Sequence, residues 1–125
     1  MWLFTTYGFF SVVCARQGNG DINQPVDPNM IMVRARKKIH LKNLIARFPQ
    51  LSPFKILDKE DTDYRFRIFV PKSIWAEIAK ELAEEIDYDN FKGKVKEKDM
   101  DIEYCRSLGS VWYTMYQIQE RDLFI

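Results

Sequence analysis

Four arginines fall in alternating register on two segments that read as strands. Arg34 and Arg36 share one face of Met30–Lys37, and Arg65 and Arg67 share one face of Tyr64–Val70. Charge leaves water at high cost unless it finds a partner. Such a stripe is therefore a solvated face, a set of internal ion pairs, or an array of planar forks for phosphate or carboxylate. Arginine binds those groups through two parallel N–H donors. Phe9, Phe10, Tyr64 and Phe69 are interleaved with these segments and offer rings on which a base can stack. A second group is Tyr88-Asp89-Asn90-Phe91-Lys92 with Arg106, which brings an amide, a ring and two cations, types that suit a nucleotide. The same stretch also reads as two core rings with Asn90 closing a helix C-terminus. The candidate ligand-binding residues are Arg34, Arg36, Arg65, Arg67, Asn90, Phe91 and Arg106.

Other chemistries lack their residues. His40 is the only histidine, so a Ser-His-Asp or Cys-His site would have to be built on it, and nothing in the spacing suggests that. No cluster has zinc-ligand spacing. Gly18-Asn19-Gly20 is a lone G-x-G, read as a turn and not as a phosphate loop. The pairs Asp61/Asp63, Asp87/Asp89 and Asp99/Asp101 have the spacing to hold Mg²⁺ beside a phosphate. Each sits at a turn or helix end, where aspartate is favoured for capping. The expectation is a binding protein with no catalytic residue, no metal and no cofactor.

The chain has 125 residues, 46% hydrophobic and 30% charged, which predicts one soluble domain over 1–125. A net charge of +1 excludes a polybasic nucleic-acid binder that works by bulk charge. The charge is unevenly spread. Residues 1–57 carry eight basic and two acidic side chains, whereas 58–90 carry five and ten. Such a chain can bind an anion on one face or meet another copy of itself, basic front to acidic middle. Cys14 and Cys105 read as reduced packing residues. The apolar opening, Met1 to Val13, has no basic flank and is too short to span a membrane. It reads as two strands, with the cytoplasm as the expected location and no membrane partner.

These residues must be positioned by a mixed fold. Trp2–Thr6 and Phe9–Arg16 read as strands joined at Tyr7-Gly8. A loop of turn formers follows from Gln17 through Pro25 to Pro28. Met30–Lys37 is a third strand. Leu41, Leu44, Ile45 and Phe48 predict a short helix over 40–48, stopped by Pro49 and Pro53. Phe54–Leu57 and Tyr64–Val70 predict a second hairpin. Pro71-Lys72-Ser73 opens a stronger helix, with Ser73 as its cap, and Asp87 to Gly93 ends or bends it. A last helix is predicted from about Asp99 to Gln119. The fold class is α+β: an N-terminal antiparallel sheet of about five strands with one short helix, packed on two longer C-terminal helices.

The opening Met-Trp-Leu-Phe-Thr-Thr-Tyr-Gly-Phe-Phe-Ser-Val-Val resembles a widespread family of small bacterial and phage proteins. So do Val33-Arg34-Ala35-Arg36, Asp63 to Arg67, Glu85 to Lys92 and Trp112-Tyr113-Thr114-Met115-Tyr116. Most of that family carries no assigned function. The chain also resembles, in size and in its order of sheet then helices, the phage anti-Thoeris sponges. Those are oligomers that sequester cyclic ADP-ribose isomers, and some hold cyclic oligonucleotides. This second resemblance implies Arg34, Asn90, Phe91 and Arg106 as ligand contacts, a nucleotide-like phosphorylated small molecule as partner, and a homo-oligomer. Two other readings stand beside it: a nucleic-acid-binding module that uses the same arginine-bearing face, or a protein-interaction domain with no small ligand that docks through its apolar last helix.

Overall fold

The computed structural model describes residues 1–98 and 101–123. The protein is α+β. Strands β1 (Trp2–Thr5), β2 (Gly8–Arg16), β3 (Val26–Ala35), β4 (Leu57–Asp58) and β5 (Phe66–Pro71) form one antiparallel sheet in the order β1-β2-β3-β5-β4. The helices are α1 (Lys38–Arg47), α2 (Lys72–Glu84), α3 (Phe91–Glu97) and α4 (Ile102–Asp122). The chain divides into two compact units, Met1–Asp87 and Tyr88–Ile125.

The first unit is set by period-two alternation. Phe10 and Val12 of β2, Ile31, Val33 and Ala35 of β3, and Ile68 and Val70 of β5 point to one face of the sheet. Leu41 and Leu44 of α1 and Trp75 and Ile78 of α2 close over them, with Phe48 and Leu51 filling the space after α1. Both helices of this unit therefore cover the same side.

The opening Phe4-Thr5-Thr6-Tyr7-Gly8-Phe9 is a tight turn with its own bonding. Thr5 Oγ1 accepts the amides of Tyr7 (3.1 Å) and Gly8 (3.2 Å) and donates to the Gly8 carbonyl (2.9 Å). Gly8 has φ +147°, and a Cβ there would lie 2.2 Å from His40 Cγ. Only glycine fits. The ring that crowds it is fixed in turn, because His40 Nδ1 accepts the Phe9 amide at 3.3 Å. Across this turn the Tyr7 hydroxyl donates to Glu85 Oε2 at 2.7 Å, and Arg47 Nε pairs with Glu85 Oε1. Glu85 is the C-terminal cap of α2, so this cluster ties the first hairpin to the ends of both helices.

Several boundaries differ from expectation, each for a local reason. The third strand starts at Val26, inside the expected loop. A bulge sets Cys14 opposite Ile31 but Ala15 opposite Asp27. Pro28, which has no amide to donate, falls among the residues that the bulge leaves unpaired with β2. The expected strand Phe54–Leu57 shrinks to Leu57–Asp58, because Phe54 and Ile56 turn to pack on the core. Its partner begins at Phe66 and not at Tyr64.

Helix α2 starts at Lys72 with Pro71 at its N-cap and no side-chain cap, so Ser73 lies inside the helix and does not close it. Where a helix end or bend was expected, a separate helix α3 forms. Asn90 begins it and accepts the Gly93 amide at 3.0 Å, which makes Asn90 an N-cap and not a C-cap. Asp101 caps α4 by accepting the amides of Glu103 and Tyr104 at 3.0 and 3.3 Å. The expected start at Asp99 lies outside the described residues. In the second unit Val95, Tyr104 and Leu108 are buried.

A candidate anion-binding face

Strand pairing sets Trp2 opposite Ser11, Ser11 opposite Arg34, and Arg34 opposite Arg67. Directly paired residues share a face. Phe10, Val12, Val33 and Ile68 occupy the helix side, so the row Trp2–Ser11–Arg34–Arg67 lies on the other. The paired rings Phe4 and Phe9 lie beside it, as does the row Val13–Met32–Phe69.

The two guanidinium groups at the centre of this face are held in place. Arg34 Nη2 donates to Ser11 Oγ at 2.6 Å. Arg67 is buried, and its Nη2 donates to the Tyr64 carbonyl (2.6 Å) and Thr62 Oγ1 (2.8 Å). Arg36 lies just past the strand and donates from Nη1 to the Asp63 carbonyl at 2.9 Å. The Tyr64 ring gathers Arg34 and Arg36. Arg34 Cζ lies 4.5 Å and Arg36 Cζ 4.3 Å from its centroid, within cation–π range. The sequence places Tyr64 in one strand with Phe66 and Ile68. The chain leaves the sheet before Phe66, and the ring turns to the arginine side, where it also lies 6.3 Å from Phe9.

Two guanidinium groups therefore lie over the buried Tyr64 ring, and a third, that of Arg67, binds its backbone carbonyl. Among the described residues none of the three forms an ion pair with a carboxylate. The Nε atoms of Arg34 and Arg67 are buried without a hydrogen-bond partner. Burial, and then repulsion from Arg34, lowers the Arg67 pKa from its ordinary value, with Asp63 pulling the other way. Cations drawn from water and set side by side without a counter-charge are costly. An anion seated on this face would offset that cost, and arginine forks match the oxygens of phosphate.

The other candidates are placed differently. Arg65 is exposed and already paired: Nε and Nη2 reach the two Asp58 oxygens at 2.7 and 3.0 Å, and Nη2 reaches Glu60 at 3.1 Å. That fork holds the Asp58 carboxyl below its usual range. Asn90, Phe91 and Arg106 belong to the second unit. Asn90 Oδ1 is engaged as a cap, the Phe91 ring lies 6.2 Å from Tyr88, and Arg106 is exposed on α4. Sequence reasoning missed Trp2 and Ser11 as members of the arginine row, and it missed Tyr64 as its hub. The signal for Trp2 and Ser11 is strand register, which is absent from any single segment, and Tyr64 is placed by the turn that precedes β5.

Among the described residues no three His, Cys, Asp or Glu side chains gather as a metal site. No described helix is long and apolar enough to cross a membrane. No family model, curated protein or solved structure matches the chain.

Proposed function

We propose that the protein is a cytoplasmic, non-enzymatic binder of a phosphorylated small molecule, a nucleotide signal that it sequesters. The observation that supports this reading is the convergence of Arg34, Arg36 and Arg67 on Tyr64 without a carboxylate. Arg34 Nη1 and Arg36 Nε and Nη2 make no hydrogen bond among the described residues, which leaves donors for oxyanions. A titration by calorimetry with pyrophosphate, mononucleotides and cyclic nucleotides tests it. Binding that is lost in Arg34→Ala supports the reading. Equal affinity in wild type and Arg34→Ala, or no heat with any of these anions, refutes it. A nucleic-acid module on the same face would instead bind single strands with steep salt dependence and ignore mononucleotides.

The homo-oligomeric part of this reading rests on α4. Leu108, Val111, Met115 and Ile118 follow the three-and-four spacing of a helix seam, and the last three are exposed. Trp112 and Tyr116 stack at 5.3 Å beside that seam. A stripe of this kind suits a second copy of itself across a two-fold axis. Glu120, Arg121 and Asp122 at its end mix both signs, so like charge does not block that pairing. Light scattering after size exclusion should find a dimer or higher state that Met115→Glu dissolves. A wild type that stays monomeric at every concentration scanned removes this part of the reading.

A further inference from the structure

We propose that a nucleobase stacks on Trp2, at the end of the cross-strand row whose other end holds the arginines. This deepens the anion-binding reading and rests on it. The row is Trp2, Ser11, Arg34, Arg67. Adjacent strands lie about 4.8 Å apart, so the Trp2 and Arg34 backbones are about 10 Å apart, with the small Ser11 between them. The indole stands edge-on to Phe9, at 5.9 Å and 87°. Phe9 in turn stacks on Phe4 at 4.5 Å and 20°. Phe4 and Phe9 thus brace the indole while 69% of the Trp2 residue stays exposed, an unusual state for the largest apolar side chain.

A ligand with a flat apolar ring at one end and a phosphate at the other fits this order of groups. Its ring covers the indole, its sugar spans the β2 position where Ser11 is buried and bonded to Arg34, and its phosphate reaches Arg34 and Arg36. A sugar phosphate would use only the arginine end. A lone nucleoside would use only the indole. Base stacking on an aromatic side chain tolerates any base, so the row selects for a nucleotide without selecting which one.

The test is a set of titrations on the intact protein with the four nucleoside 5′-monophosphates, ribose 5-phosphate and adenosine, followed by tryptophan emission and calorimetry. The expected result is that the mononucleotides bind about tenfold or more tighter than ribose 5-phosphate and quench emission. In Trp2→Leu the quench and the preference should vanish while affinity for ribose 5-phosphate stays the same. Trp2→Phe should keep most of the preference. Trp2 lies at the exposed edge of β1, so these variants should melt like wild type, which a thermal scan checks. Equal affinity of mononucleotides and ribose 5-phosphate would overturn the stacking site and leave the anion site standing. Adenosine binding as tightly as its monophosphate would do the reverse. No binding of any of them refutes both.

Discussion

The two faces of the sheet are made by the same strands and the same alternation, yet they are held together by different physics. On the helix side the core is apolar, and Phe10, Val33 and Ile68 are fully buried under α1 and α2. On the opposite side the middle of the sheet carries Arg34 and Arg67, with Tyr64 and the 58–64 loop as their local cover. The first face is stabilised by removing surface from water. The second spends some of that stability on cations that lack counter-charges. A protein keeps such an arrangement where charge has work to do, because an apolar pair would pack there at lower cost. The difference between the faces can be attacked by experiment.

The largest effect is expected on the covered face. Phe10→Ala removes a fully buried ring and should cost about 3–5 kcal/mol, with the loss read as a fall in Tm or in the denaturant midpoint. Gly8→Ala should cost a comparable amount without removing a core atom, because its Cβ would overlap the His40 ring at a backbone angle that only glycine adopts freely. A Gly8→Ala protein that melts like wild type would mean that the hairpin turn and His40 are not locked together as the geometry requires.

On the open face the order of effects should reverse. Arg34→Met removes one of two abutting cations and fills the same space with an apolar chain. The prediction is a Tm equal to wild type or higher, together with a tenfold to hundredfold loss of phosphate affinity, the equivalent of about 1.5–3 kcal/mol for charge-assisted hydrogen bonds. A Tm loss as large as that of Phe10→Ala would make Arg34 a structural residue and erase the contrast between the faces.

Much of this contrast is legible in the sequence. Period-two alternation set Arg34 and Arg36 on one face of the third strand, and the helices over 40–48 and after Pro71 followed from residue spacing. What was not legible was register. The pairing of Trp2 with Ser11, and of Ser11 with Arg34, joins residues 9 and 23 positions apart, and no local propensity specifies it. The fate of individual arginines was hidden for the same reason. Arg65 and Arg67 look equivalent in sequence, but only Arg65 faces Asp58 and Glu60, because the chain leaves the sheet between Tyr64 and Phe66. Asn90 was legible as a residue that ends helices, but which helix it ends depended on α3, whose seven residues give little periodicity to detect.

The smallest predicted effect tests what holds the covered face to its edge. Tyr7 is pushed up to about 12, by burial first and then by its bond to Glu85, against an ordinary value of 10.0. Its folded pKa is raised, so its contribution is fully present below pH 10 and is lost as pH rises through about 12. Thermal stability should therefore fall over that alkaline window in wild type. Tyr7→Phe cannot ionise and cannot donate to Glu85. It should be slightly less stable than wild type at neutral pH, by about 1 kcal/mol or less for one partly exposed hydrogen bond. The two curves should then converge as wild type loses its tyrosine bond. Parallel curves from pH 8 to 12 would show that the alkaline loss arises elsewhere, and that the Tyr7–Glu85–Arg47 cluster does not hold the first hairpin to the helices. Arg34→Met, which lies on the other face, should follow the wild-type pH curve throughout, and this separates the two sides of the sheet by a measurement that involves no ligand.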